Sequence, residues 1–337
     1  MPTHAACPPT ELLCAATAAV EAACRATRSV HDRPGEIHAH LKEDRSPVTI
    51  ADFAAQAVVV LTLERLLPPP LRLVGEERPE VLEGGAGRTL LDAATAAVRT
   101  VLPDVRPEDV IAAVHRGTAE PDARGFWTLD PVDGTKGFLR RQQYAVALAF
   151  IADGRPSVAA LGCPHLPAAI DGDVESSDPR GCLASATLGG GATIRPLGTA
   201  DGDARRIRAA RWSPSTGIVS CESVESSHSK QDRTAAVLAR CGSSAPPVRL
   251  DSQCKYAVVA RGQAHAYLRL PTTKDYVERI WDHAAGSLVA TEAGAVVTDC
   301  EGRPLDFRHG RGLERNRGIV AASPELHPRL IEAIGRT

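Results

Sequence analysis

The stretch with the most chemical content is Trp127-Thr128-Leu129-Asp130-Pro131-Val132-Asp133-Gly134-Thr135-Lys136-Gly137-Phe138. Asp130 and Asp133 stand three residues apart, just after an apolar run from Phe126 to Leu129 that reads as a short strand. Pro131 has no N–H to give to a sheet ladder. Asp133-Gly134 is a turn signal, and Thr135 is a good N-cap for a helical turn. Carboxylate oxygens suit a hard cation such as Mg²⁺, and unpaired N–H groups at a helix start suit a phosphate. One tight loop can therefore hold both a metal and the phosphate that the metal activates. The same residues equally make a solvated acidic turn, since Asp-Pro and Asp-Gly pairs are common on surfaces. A calcium loop of the EF-hand type does not fit, because its closing Glu is missing and Lys136 adds a positive charge.

Other carboxylates fall at the ends of predicted elements. Asp52 sits three residues after Thr49, in the first turn of a helix running to about Leu67, where capping-box support is its plain structural role. Glu76 and Glu77 follow a short strand, Leu71 to Val74, and the end of a strand is where α/β enzymes place working groups. Asp282 lies in Ile280-Trp281-Asp282-His283-Ala284-Ala285-Gly286, which opens a small-residue helix to about Glu292. Around these, residues 10 to 30 and Leu90 to Leu102 read as helices, and Tyr144 to Ile151 with Ser157 to Cys163 as a hairpin. Residues 171 to 203 are rich in Gly, Asp and Ser and read as a twisted hairpin plus linker. Strands and helices then alternate, which argues for mixed α/β layers. The expected division is an N-terminal α+β domain, 1–168, carrying most of the candidate metal ligands, and a C-terminal α/β domain, 169–337, carrying Asp282 and the candidate substrate-binding residues.

Composition narrows the function classes. With 337 residues, 43% hydrophobic and 24% charged, the chain is long enough for two buried cores. Aromatics are only 4%, so those cores rest on Ala, Val, Leu and Ile. A net charge of −2 gives no footprint for a nucleic acid polymer or an anionic membrane, so an anionic substrate must be met by local cations. Nine scattered cysteines with no Cys-x-x-Cys pair argue against a disulfide framework and a structural zinc site. No apolar run reaches the ~20 residues of a spanning helix, and no secretory signal is evident. The expected location is the cytoplasm.

Taken together, Trp127…Asp130-Pro131-Val132-Asp133-Gly134-Thr135…Phe138, then Trp281-Asp282-His283-Ala284-Ala285-Gly286, with Glu76 upstream, resemble the inositol monophosphatase superfamily of metal-dependent, lithium-sensitive phosphatases. Within it the chain looks most like the 3'(2'),5'-bisphosphate nucleotidases. That likeness rests on Ser46-Pro47-Val48-Thr49, Thr135-Lys136-Gly137-Phe138-Leu139-Arg140, Asp251-Ser252-Gln253-Cys254-Lys255-Tyr256 and Tyr267-Leu268-Arg269-Leu270-Pro271. Ala295 and Ala51 depart from glycines common in the family, but neither position is a ligand. The resemblance implies a layered sandwich of alternating α and β layers. It implies two to three Mg²⁺ per site: one on Glu76, Asp130 and the Val132 carbonyl, a second on Asp130, Asp133 and Asp282, and a third held through water by Glu76 with Asp52. It further implies that Thr135 pairs with Asp52 to orient the attacking water, and that the Gly134 and Thr135 amides meet the phosphate. His228, Ser252, Lys255 and Arg269 match positions that contact the nucleotide.

The chemistry calls for these residue types independently. Attack on a phosphate monoester brings an anion toward an anion, and paired metal ions neutralise that charge and acidify a bound water. Thr135 is not basic by itself, so a relay needs Asp52 as proton acceptor. No Ser-His-Asp set is required, and His283 reads as a structural helix residue. The expected reaction is removal of the 3'(2')-phosphate from the small nucleotide 3'(2')-phosphoadenosine 5'-phosphate. The alternatives are an inositol phosphate or another 3'-phosphonucleoside as substrate, and a catalytically idle metal- and nucleotide-binding protein. The last is disfavoured because Asp52, Glu76, Asp130, Asp133, Thr135 and Asp282 are all present.

Overall fold

The computed structural model describes the chain except residues 1–3, 5–6, 33–39, 42–46, 84–86, 225–230, 244 and 274. Helix α1 (Pro9–His31) starts with proline in its first turn, where a missing N–H costs nothing, and turns an Ala/Val stripe inward. The short strands β1 (His40–Leu41) and β2 (Pro47–Val48) pair antiparallel and lead into α2 (Ile50–Leu66). Then come β3 (Leu73–Gly75), α3 (Glu80–Glu83), α4 (Gly87–Arg99) and α5 (Pro107–Arg116). Every residue of α2 from Ile50 to Val60 is buried, because α1, α4, α5 and a sheet enclose it.

That sheet continues with β4 (Phe126–Asp133), the short helix α6 (Thr135–Leu139), β5 (Ala145–Ala152), β6 (Arg155–Cys163), β7 (Cys182–Thr187), β8 (Gly191–Pro196) and β9 (Arg205–Arg206). Its seven strands run β3-β4-β5-β6-β7-β8-β9, with β3 parallel to β4 and all other pairs antiparallel. The second half supplies β10 (Ser220–Glu222), α7 (Gln231–Arg240), β11 (Val248–Arg249), α8 (Cys254–Ala260), β12 (Ala266–Arg269), α9 (Ala284–Glu292), β13 (Val296–Thr298), β14 (Ile319–Ala322) and α10 (His327–Gly335). Its five strands are ordered β11-β10-β12-β14-β13.

Strand alternation sorts the side chains into layers. On β5, Val146, Leu148 and Phe150 face the core shared with α1 and α2. Ala147, Ala149 and Ile151 face the other way, into a core formed with α8 and α9. On the second sheet Tyr267 and Ala321 share that middle core, whereas Ala266, Leu268 and Val320 face α7 and α10. The result is five layers, α-β-α-β-α, as expected. The alanines turned toward α8 and α9 are what let the middle helices approach both sheets.

Three features differ from the expectation. The acidic pair is not on a loop: β4 runs through Asp130 to Asp133, and both aspartates pair with β5 on either side of a bulge. Asp130 lies opposite Ala147 and Asp133 opposite Ala145, so β4 spends one more residue than β5 between them. In a regular strand residues three apart point to opposite faces; the bulge at Pro131-Val132 returns both carboxylates to one face. The second difference concerns β7, β8 and β9, which complete the first sheet although a division at 168/169 assigns them to the second half. The third is α5, β14 and α10, which the reading of the sequence did not anticipate.

One buried amide fixes the turn after β3. Gln56 Nε2 donates to Glu77 O (2.9 Å) and Glu77 N donates to Gln56 Oε1 (3.1 Å), so α2 grips the turn that carries Glu76. Gly75 is required there, since a Cβ would come within 2.5 Å of Gln56 Oε1. Gln56→Leu keeps the volume and strands two buried backbone groups, which should cost about 1–3 kcal/mol. The check is denaturant unfolding in the absence of divalent cations, where an unchanged midpoint contradicts the assignment.

Candidate active site

Each acidic residue is delivered by a different piece of local structure. Asp52 closes a capping box on α2: Thr49 N and Thr49 Oγ1 both donate to Asp52 Oδ2 at 2.7 Å, and Ala51 N donates to Thr49 Oγ1 at 3.1 Å. Glu76 leaves the end of β3, and its N–H is held by Leu129 O at 3.1 Å. Asp130 and Asp133 come from the bulged end of β4. Asp282 precedes α9, and its N–H is held by Arg279 O at 3.2 Å. Glu76, Asp130, Asp133 and Asp282 line one cavity of about 1350 Å³, between the two sheets' ends. Asp52 does not line it, but lies near enough to Asp130 for its charge to be felt there.

The helical turn after β4 differs in detail from the expectation. Gly134, at φ +83°, is the N-cap of α6, a left-handed position that glycine takes without penalty. Thr135 is instead the first helical residue, and its Oγ1 donates to Val132 O at 3.2 Å. The expected pairing of Thr135 with Asp52 is therefore not the contact this structure records.

On the opposite wall stand Ser252, Lys255 and Arg269. Ser252 adopts φ +66°, uncommon for a non-glycine, and its Oγ accepts from Cys254 N at 3.2 Å. Lys255 is buried and its Nζ donates to Leu250 O at 3.0 Å, 5.3 Å from the Tyr267 ring centre. Burial pulls its ammonium below the ordinary lysine value, opposed by Asp133 and Asp251. Arg269 is already engaged: Nε and Nη2 take both oxygens of Glu278 at 3.0 and 2.8 Å, and Nη2 also donates to Tyr276 Oη at 3.1 Å. Its distance to Asp282 Oδ2 is 3.9 Å. His228 lies outside the described residues.

Several residues of the site were missed from sequence. Glu278 is nearly buried; burial raises its carboxyl, but Arg269 and then His283 more than offset this and hold it down to about 2. His283 uses both ring nitrogens, one on Tyr256 Oη (3.0 Å) and one on Glu278 Oε2 (3.1 Å), in keeping with a structural role. Glu278, Asp282 and His283 bring ligand atoms within 4.8 Å of one another, but these existing partners occupy two of the three. Arg311 Nη2 donates to Gly75 O at 2.5 Å and its guanidinium covers the Trp281 ring at 5.0 Å, binding the Glu76 turn to the Asp282 segment. One arginine among Arg308, Arg311, Arg315 and Arg317 carries no pattern that sequence could have flagged.

The site fits divalent cations. All its ligand candidates are oxygens, and Asp130 Oδ1 is buried with no hydrogen-bond partner. Burial and the neighbouring charges of Glu76, Asp133 and Asp282 push the Asp130 carboxyl well above its ordinary range. Burial likewise pushes up Asp282, and raises Asp133 to about 6 against the pull of Lys255. Positive charge placed beside such a cluster favours its ionised form.

Comparison with known proteins places the chain in a family. The family model of the inositol monophosphatase family matches residues 9–336. The chain belongs to that family. It is 39% identical over 332 residues to the probable 3'(2'),5'-bisphosphate nucleotidase 4 of Arabidopsis thaliana, covering 96% of this chain and 93% of the relative. It is also 39% identical over 335 residues to the 3'(2'),5'-bisphosphate nucleotidase of Oryza sativa, again covering 96% and 93%. Among solved structures it shares the fold of the extragenic suppressor protein suhB of Bartonella henselae (TM-score 0.65, 19% identity, 96% and 98% covered). The same holds for CysQ of Bacteroides thetaiotaomicron (TM-score 0.62, 21% identity, 93% and 97% covered). No helix among the described residues is long and apolar enough to cross a membrane, and all nine cysteines are unpaired.

The raised carboxyls set the sign of a pH effect. Groups whose folded pKa lies above the unfolded value bind more protons when folded, so their contribution to stability falls as pH rises. For Asp133 the window runs from its ordinary 3.8 to about 6, and Asp130 and Asp282 extend it upward. With chelator present, the Tm should fall as pH rises through this window. Added Mg²⁺ should raise Tm more above the window than below it. Equal Mg²⁺ shifts on both sides contradict the shared-charge account.

Proposed function

We propose that the chain is a Mg²⁺-dependent phosphomonoesterase that removes the 3'(2')-phosphate of 3'(2')-phosphoadenosine 5'-phosphate, giving AMP and phosphate. The observation that carries this is the convergence of Glu76, Asp130, Asp133 and Asp282 on one cavity, in a chain 39% identical to bisphosphate nucleotidases. In this reading Glu76, Asp130 and the Val132 carbonyl hold one cation and Asp130, Asp133 and Asp282 a second, with Asp52 and Glu76 supporting a third through water. When bound, such cations offset the charge of the phosphate and acidify coordinated water. The backbone N–H groups of Gly134 and Thr135 receive the phosphate being cleaved. For a proton relay to Asp52, the Thr135 hydroxyl must turn away from Val132 O, a rotation about one side-chain bond. Ser252, Lys255, Arg269 and His228 are the proposed contacts to the nucleotide.

The ion pair with Glu278 changes the balance among those contacts. Arg269 and Glu278 together carry no net charge, so Lys255 is the stronger counter-charge for the phosphate that is not cleaved. Arg269→Ala is also a poor probe, because it leaves Glu278 buried without its main partner, a change that typically costs about 3–5 kcal/mol of stability.

The test is a substrate panel at fixed Mg²⁺. Wild-type protein should turn over the bisphosphate with a higher kcat/KM than inositol 1-phosphate; the reverse order contradicts the reading. Lys255→Met should lower kcat/KM for the bisphosphate by about tenfold or more, equivalent to ~1.5–3 kcal/mol for a lost charge-assisted contact. On 3'-AMP, which lacks the 5'-phosphate, the loss should be much smaller. Equal losses on both assign Lys255 to the fold.

A further inference from the structure

The acidic residues come from two separate parts of the fold, so something must fix the distance between them. Asp133 ends β4 of the first sheet, while Asp282 precedes α9 in the second half. Gln253 touches both pieces. Its backbone N–H donates to Asp133 Oδ2 at 2.5 Å. Its side-chain Nε2 donates to the carbonyl of Trp281, next to Asp282, at 2.9 Å. Its Oε1 accepts from Gly286 N at 2.9 Å, pinning the first turn of α9. The residue is 2% exposed, so no water competes for these bonds.

We propose that Gln253 is a positioning residue whose side-chain amide sets the spacing between Asp133 and Asp282, and so the affinity for the divalent cation those two carboxylates share. The proposal rests on the two-cation reading of the site. A carboxamide is the side chain that suits this place, because a carbonyl and an N–H must be met at the same end. Glutamate offers only acceptors to the Trp281 carbonyl, methionine offers nothing, and asparagine is one methylene short. The strained φ of +66° at Ser252 supports the assignment: that turn aims the Gln253 N–H at Asp133, and the surrounding contacts must impose it. Arg311 makes the matching connection on the other side, from Gly75 to the Trp281 ring. The Trp281-Asp282 segment is thus anchored to both acidic turns of the first sheet.

The experiment measures Mn²⁺ binding to the full-length protein by calorimetry, without substrate, for wild type, Gln253→Met and Gln253→Asn. Gln263→Ala serves as control, since its side chain bonds only the exposed Gly172 carbonyl at 2.8 Å. Both Gln253 variants should keep one Mn²⁺ near wild-type affinity and weaken the other by about 10-fold or more, the usual scale for loss of a supporting contact around a metal. The Mg²⁺ concentration giving half-maximal rate should rise in parallel, with KM for the bisphosphate at saturating Mg²⁺ little changed. A lower Tm with unaltered Mn²⁺ affinities overturns the proposal, leaving Gln253 a packing residue. Wild-type protein that binds a single Mn²⁺ contradicts the two-cation reading beneath it. If Gln253→Met does not fold, Gln253→Asn, which keeps the amide but not its reach, decides the matter alone.

Discussion

Repulsion among carboxylates is the constraint on which this structure turns. Glu76, Asp130, Asp133 and Asp282 are drawn together around one cavity, an arrangement that raises the energy of the folded chain until positive charge arrives. No single element could impose it. The bulge in β4 brings Asp130 and Asp133 to one face, and the Gln56 amide holds the turn after β3. Gln253 and Arg311 fasten the Asp282 segment to both. Gln56 and Gln253 are buried amides with both ends hydrogen-bonded, so the cluster is held by directional bonds rather than by packing alone.

The second sheet adds a network of opposite character. Arg269, Glu278, His283 and Tyr256 form a linear chain of hydrogen bonds beside Asp282, with the arginine charge spent on Glu278. This keeps the guanidinium at a defined place on the cavity wall. It also means that the charge of Arg269, which the resemblance assigned to the nucleotide, is balanced inside the protein by Glu278.

Much of this was legible in the sequence, and the failures have physical reasons. Motif residues with local roles were readable: the Thr49–Asp52 cap, the helix of small residues after Asp282, and the alternation that separates the layers. The loop expected at Asp130-Pro131-Val132-Asp133 proved to be strand, because a proline tolerated at a bulge looks the same in sequence as a proline that ends a ladder. Gln56, Gln253 and Arg311 were invisible as site residues, since their partners lie tens to hundreds of residues away and a single Gln or Arg carries no spacing signal. Helix α5 had its signals in place, with Pro107 at the first position, Asp109 in the first turn, and Val110, Ala113 and Val114 buried on one stripe. They were passed over because Pro103 and Pro107 together read as a break.

The central claim is that carboxylates from both halves of the chain share divalent cations at one point. Its most direct test is a crystal grown with Mn²⁺ and measured for anomalous scattering. The account predicts one peak between Glu76 and Asp130 and a second among Asp130, Asp133 and Asp282. No peak at these carboxylates, or a peak only at Glu278 and His283, contradicts it.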